Sequence, residues 1–325
     1  MLGARSGESQ ILQSDMGSVH AYSRSRSPHR ASAPTIEAVT GRLARPAATV
    51  EAARMTESAG PRVVDPRGLG AEEPEAARLG NPSYVWRSGQ ERRLALIERY
   101  VPLSGKRVLD LGCGVGEYVR AFACRGARVF GSDVAAGRLV EARQRVAATQ
   151  TGGVQGFLAA AGEALPFRDA SLDVIVLNEV IEHVADDRAT LREIARVLTP
   201  GGTCILYAPN RLYPFETHGI YWRGRYIFGN IPFVNWLPDA ARDRLVPHAR
   251  AYRHNDWRRL IAGTSLRLVD QTYVYPGFDN IEARNATLGR LVRDVCYWAE
   301  GTPLRRFGLS HLVVLRRDGA PQAAR

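Results

Sequence analysis

Lysine is all but missing from this chain: Lys106 is the only one, and the other basic residues are arginines. So exclusive a bias reflects overall composition rather than a choice made site by site. Cysteine is sparse as well. Cys113, Cys124, Cys204 and Cys296 are widely scattered with no paired spacing, so they suggest neither a disulfide framework nor a zinc site and fit a reducing cytosol. Long apolar runs are lacking: no stretch approaches the ~18 residues of a membrane span. The first 13 residues lack the apolar core of a leader, so the expected location is cytoplasmic. The only methionines, Met1, Met16 and Met55, lie near the amino end, and a start at either of the later two would remove nothing that reads as folded.

What is present is ample for a globular core, with 325 residues of which 45% are apolar. The net charge is +11, and its excess is C-terminal, where residues 211–325 carry eighteen arginines against ten acids. Such a surface suits an anionic membrane, a phosphorylated substrate or nucleic acid, and solvated arginines are its plainest reading. Residues 1–78 have no apolar periodicity and are rich in Ser, Ala, Pro, Gly and Arg, so they read as a disordered tail, as do 319–325. Between them, 79–318 reads as one domain. Helical spacing over 91–100, 117–125, 135–148, 189–198 and 256–262 alternates with strands at 107–111, 128–132, 154–159, 172–177, 203–208, 266–275 and 311–316; residues 281–298 read as largely helical. This alternation predicts an α/β fold with a doubly wound, mostly parallel sheet and ligands at the carboxyl ends of its strands.

At one such end the chain reads Val108-Leu109-Asp110-Leu111-Gly112-Cys113-Gly114-Val115-Gly116-Glu117-Tyr118. Glycines at alternate positions let backbone turn tightly and approach a nucleotide-like ligand closely. The nicotinamide fingerprint would place its third glycine at 117, where Glu117 stands, so the spacing points away from dehydrogenases. The next strand ends at Asp133, whose carboxylate can accept both hydroxyls of a ribose.

The glycine turn and Asp133, with Ala164-Leu165-Pro166-Phe167, Ser171-Leu172-Asp173-Val174-Ile175 and Leu198-Thr199-Pro200-Gly201-Gly202, resemble the ordered motifs of class I S-adenosylmethionine-dependent methyltransferases. Asn178-Glu179-Val180-Ile181-Glu182-His183 resembles most the ubiquinone-biosynthesis O-methyltransferases. The resemblance covers residues 90–317. It implies a Rossmann-like sheet of seven strands, the last antiparallel, with S-adenosyl-L-methionine held by Arg92, Asp110, Gly112, Gly114, Gly116, Asp133 and Asn178. Members often carry an acid two residues before Glu163, facing the adenine; this chain has Ala161 there, so either cofactor affinity is lower or Glu163 serves instead. The resemblance also implies a divalent cation such as Mg2+ on Glu179, Glu182 and His183. Their i, i+3, i+4 spacing would put them on one helical face, where an ion would acidify a phenolic or enolic hydroxyl. Among His183, His218, His248 and His254, His183 is the first choice of general base.

Residues 211–254 interrupt the alternation after the fifth strand and mix aromatics, aliphatics and arginines around Tyr221-Trp222-Arg223 and Asn235-Trp236-Leu237. They suit either a lid over an apolar acceptor or an element lying in a membrane interface. The function expected is methyl transfer to a hydroxyl oxygen of a small or lipid-linked acceptor, with peripheral membrane contact as a possible partner. The alternatives are a quinone-type C-methyltransferase or a cofactor-binding module without turnover. Nucleic acid is disfavoured as a partner, because Ala208-Pro209-Asn210 is not the Asn-Pro-Pro-aromatic motif of base methylation.

Overall fold

The computed structural model describes residues 84–149 and 151–319. The tails expected at 1–78 and 319–325 lie outside the described residues, Gly319 apart. The first half runs α1 (Ser88–Tyr100), β1 (Arg107–Leu111), α2 (Glu117–Cys124), β2 (Arg128–Asp133), α3 (Ala136–Ala148), β3 (Val154–Ala159), β4 (Leu172–Asn178), α4 (Asp187–Val197) and β5 (Leu198–Pro209). The insertion follows, with β6 (Phe215–Glu216), β7 (Ile220–Trp222), β8 (Arg225–Ile227), β9 (Ile231–Pro232), a 3-10 turn (Val234–Trp236) and α5 (Asp239–Leu245). The chain closes with α6 (Asp256–Leu260), β10 (Leu266–Val274), α7 (Asp279–Arg284), α8 (Ala286–Ala299), a second 3-10 turn (Pro303–Phe307) and β11 (Ser310–Arg317).

The seven long strands form one sheet in the order β10-β11-β5-β4-β1-β2-β3. β3, β2, β1, β4 and β5 pair in parallel, and β11 runs antiparallel between β5 and β10. The strands are apolar on both sides because helices cover both faces. Val174 and Val176 of β4, with Ile205 and Tyr207 of β5, pack with Leu94 and Ile97 of α1 and Phe122 of α2. The alternate residues, Ile175, Leu177, Cys204 and Leu206, meet Leu191 and Ile194 of α4 and Trp257 of α6 on the other face. That two-residue period fixes the register, since a slip of one position would exchange the two faces.

Several local boundaries differ from the sequence reading, β5 starting at Leu198 rather than at 203 among them, and two differences have a visible cause. The helical stretch 281–298 is two helices, because Asn285 adopts an extended backbone and its side chain accepts from Leu288 N at 3.0 Å, capping α8. The residues after β4 are a turn rather than a helix: Glu179 has φ +55°, and α4 starts only where the side chain of Asp186 accepts from Ala189 N at 2.9 Å.

The insertion packs on itself through Ile220, Val234, Val246 and Ala249. Buried Arg242 donates to Glu216 Oε2 at 2.8 Å, to the Ala249 carbonyl at 2.9 Å and to Asn235 Oδ1 at 3.2 Å. Arg250 then ties the segment to the turn after β4, donating to the carbonyls of Val184 at 2.6 Å and Ala185 at 2.8 Å.

Candidate active site

β1 and β4 are neighbours whose chain continuations leave toward opposite edges of the sheet. A crevice forms at such a switch point. A cavity of about 1490 Å3 opens there, larger than the ~300–1,000 Å3 of a typical small-molecule pocket and therefore roomy enough for two reactants. Its walls come from the glycine turn, the ends of β2 and β4, the turn after β4, and Thr217, His218, Tyr226 and Phe228 of the insertion.

The glycine turn is shaped by its left-handed backbone. Gly112 has φ +76°, and a Cβ there would stand 2.3 Å from Val180 Cγ2. Gly114 N donates to Asp133 Oδ2 at 3.0 Å, while Asp133 Oδ1 accepts from Ala135 N at 2.8 Å. Gly112, Gly114 and Asp133 line the cavity, but Gly116 does not. Gly116 instead begins α2 at φ +85°, where a Cβ would press on Ala142 of α3 at 3.2 Å. Asp110 lines the cavity with 2% exposure, and its Oδ2 has no hydrogen-bond partner. Burial, and secondarily the charge of Asp133, push its carboxyl up to about 8. Glu163 and Ala161 both line the wall, and Glu163 Oε1 accepts from Asp186 N at 3.0 Å.

Arg92 is not brought to the cavity. Its guanidinium pairs with Glu300, donating to Oε1 at 2.8 Å, and lies 3.7 Å over the ring of Tyr297. Successive helix residues are turned by about 100°, so the neighbouring arginine takes the inward position. Arg93 donates to Asn178 Oδ1 at 2.6 Å, to Glu179 Oε1 at 2.8 Å and to Ser310 Oγ at 2.9 Å. Glu179 is thereby drawn off toward Arg93 and Ser310, and the trio Glu179, Glu182 and His183 does not converge.

A different set does. Glu182 is wholly buried, and its Oε1 lies 3.9 Å from His183 Nε2 and 3.7 Å from His218 Nε2. Both imidazoles line the cavity. His183 Nδ1 meets the His248 carbonyl at 3.2 Å, and His218 Nδ1 meets Glu216 Oε1 at 3.0 Å. Burial raises Glu182; it would lower His218, but the carboxylates of Glu182 and Glu216 outweigh it and hold that imidazole well above its ordinary value. His248 is buried behind this layer, where desolvation depresses it to about 4, and His254 contacts Tyr273 Oη at 3.2 Å outside the cavity wall. Sequence reasoning missed Arg93 and the pairing of His218 with Glu182. The first had a signal in its neighbour Arg92; the second joins segments from either side of β5 and had none.

The strand order and the glycine turn at the switch point define a Rossmann-like nucleotide-binding α/β domain. A model described as "Methyltransferase domain" matches residues 109–206, from β1 through β5. The ubiquinone biosynthesis O-methyltransferase of Ruegeria pomeroyi is 35% identical over 200 residues, covering 56% of this chain and 76% of that protein. Its counterpart from Bartonella bacilliformis is 28% identical over 170 residues, 52% of this chain and 63% of the relative, so the match to that protein leaves more than a third of its length aside. Among solved structures the [4+2]-cyclase SpnF is similar at TM-score 0.50 and 15% identity, covering 74% of this chain and 85% of that one, a likeness of fold alone. The chain belongs to the class I S-adenosylmethionine-dependent methyltransferases.

Proposed function

We propose that this protein transfers the methyl group of S-adenosyl-L-methionine to a hydroxyl oxygen of a small or lipid-linked acceptor. The observation that carries the reading is the single cavity running from Gly112, Gly114 and Asp133 to His183 and His218. The residues fit the cofactor. Asp110 offers a buried oxygen without a partner to a cationic ligand, and each Asp133 oxygen, already taking one backbone N–H, keeps a lone pair for a ribose hydroxyl. Asn178, oriented by Arg93, and Glu163 complete the cofactor end.

The bound cofactor supplies a methyl group on a sulfonium, already activated, so the protein's task is placement. In the metal-free chain His183 does the remaining proton work. Its Nδ1 donates to the His248 carbonyl, which leaves Nε2 as the basic nitrogen that takes the acceptor's hydroxyl proton. Tyr226 and Phe228 close the acceptor end as a lid and keep water from the reacting oxygen.

Incubation with methyl-labelled cofactor and a phenolic acceptor tests this. The label is expected on oxygen, and His183→Ala is expected to lower turnover by roughly 10²–10⁴-fold while cofactor binding persists. Label on carbon, or none despite cofactor binding, would overturn the acceptor reading.

A further inference from the structure

The least explained group in the cavity region is the carboxylate of Glu182. It is wholly buried, and neither of its oxygens makes a hydrogen bond. A buried carboxylate is strongly unfavourable unless a cation completes it, and here that cation is either the protonated ring of His218 or an ion that the three groups share. The imidazole nitrogens at 3.9 and 3.7 Å are beyond hydrogen-bond reach but close to the spacing of ligands on a shared ion, since two ligands ~2.1 Å from a tetrahedral ion stand about 3.4 Å apart. The three donor atoms all lie within 4.8 Å of one another.

The far sides of both rings carry the supports that metal-bound histidines use. His183 Nδ1 is held by the His248 carbonyl, and His218 Nδ1 by Glu216, itself pinned by Arg242 at 2.8 Å. Such contacts turn both Nε2 atoms toward Glu182. We propose that Glu182, His183 and His218 bind one divalent transition-metal ion of the zinc class.

This set departs from the family motif in membership and in chemistry. Glu179 is engaged by Arg93 and Ser310, and its place is taken by a histidine from the insertion. Two imidazoles and one carboxylate select zinc-class ions over Mg2+, which prefers oxygen ligands and retained water. Because both rings line the cavity, a remaining coordination position faces the acceptor end, as in sites that act on a bound group. The ion also joins the insertion to the turn after β4. Its use, though not its binding, rests on the methyl-transfer reading: it would acidify the acceptor hydroxyl, and His183 would act as ligand instead of base.

The full chain, stripped with chelator, is titrated with Zn2+ alone and with Co2+ alone, and retained metal is counted after desalting. About one ion per chain is expected, with a cobalt ligand-field spectrum of low symmetry. Glu182→Gln, His218→Ala and His218→Gln should each lose the ion, Glu179→Gln should keep it, and excess Mg2+ should not displace it. Circular dichroism and binding of S-adenosylhomocysteine report whether each variant is folded. No retained ion in a parent that binds S-adenosylhomocysteine overturns the site; so does loss in Glu179→Gln with retention in both His218 variants, which returns the ligands to the family motif. An ion lost with His218 in a chain that ignores S-adenosylhomocysteine sustains the site and defeats the methyl-transfer reading.

Discussion

Asp110→Asn should make the ligand-free protein more stable, by a margin that grows with pH. The side chain is 2% exposed and its carboxyl is pushed up to about 8, by burial first and Asp133 second. In the unfolded chain the same group titrates near ~3.9. A folded value above the unfolded one means stability that is fully present below about pH 4 and lost as pH rises through about 8. Each unit of the difference is worth about 1.4 kcal/mol, so the parent forfeits at most ~5–6 kcal/mol by pH 9, less whatever water penetration relieves. Asparagine has nearly the same shape and no charge, so the variant avoids that loss without leaving a hole. Urea unfolding of parent and variant at pH 5, 7 and 9 measures the margin directly. It should be small at pH 5 and reach at least ~2 kcal/mol at pH 9. A margin that does not change with pH would refute the reasoning. A carboxylate kept where it destabilises the empty protein makes sense if it meets a cation on the bound ligand, and S-adenosylmethionine should accordingly bind the variant more weakly.

Arg93→Met removes hydrogen bonds to Asn178 and Glu179 and should weaken S-adenosylhomocysteine binding about tenfold or more, whereas Arg92→Met should change it less than about twofold; calorimetry on the two variants separates them. Arg242→Met leaves buried Glu216 with His218 as its remaining partner, each member of the Arg242–Glu216 pair being about 2% exposed, and should cost roughly 1–3 kcal/mol in chemical unfolding, part of which Glu216→Gln in the same chain restores. Trp222, Phe228 and Trp236 are half or more exposed on the insertion, so if it also meets a lipid surface, sedimentation with anionic vesicles should fall with salt and with alanine at all three positions. A chain that stays in the supernatant at low salt rules the lipid contact out.

The sheet was legible because its signal is local and repeated. Val174 to Leu177 are apolar without a break, and so are Ile205 to Ala208; only a strand covered on both faces asks for that. The glycine turn was legible for a similar reason, since alternate glycines ahead of a helix have few other uses. What failed were one-residue and long-range decisions. Arg92 and Arg93 are equivalent by composition, and helix rotation alone sends one to Glu300 and the other to Asn178. The helical face expected for Glu179, Glu182 and His183 does not exist, because Glu179 takes a left-handed backbone and the segment turns before α4 begins. His218 reaches Glu182 only because the insertion folds back over the turn after β4, a contact that no spacing in the chain announces.

Calorimetric titration of the full chain with S-adenosylhomocysteine tests the central claim most directly. The account predicts one site per chain, weakened by roughly 1–3 kcal/mol in Asp133→Ala through lost ribose hydrogen bonds, with no binding of NAD. A chain that takes NAD and ignores both S-adenosylhomocysteine and S-adenosylmethionine would contradict it.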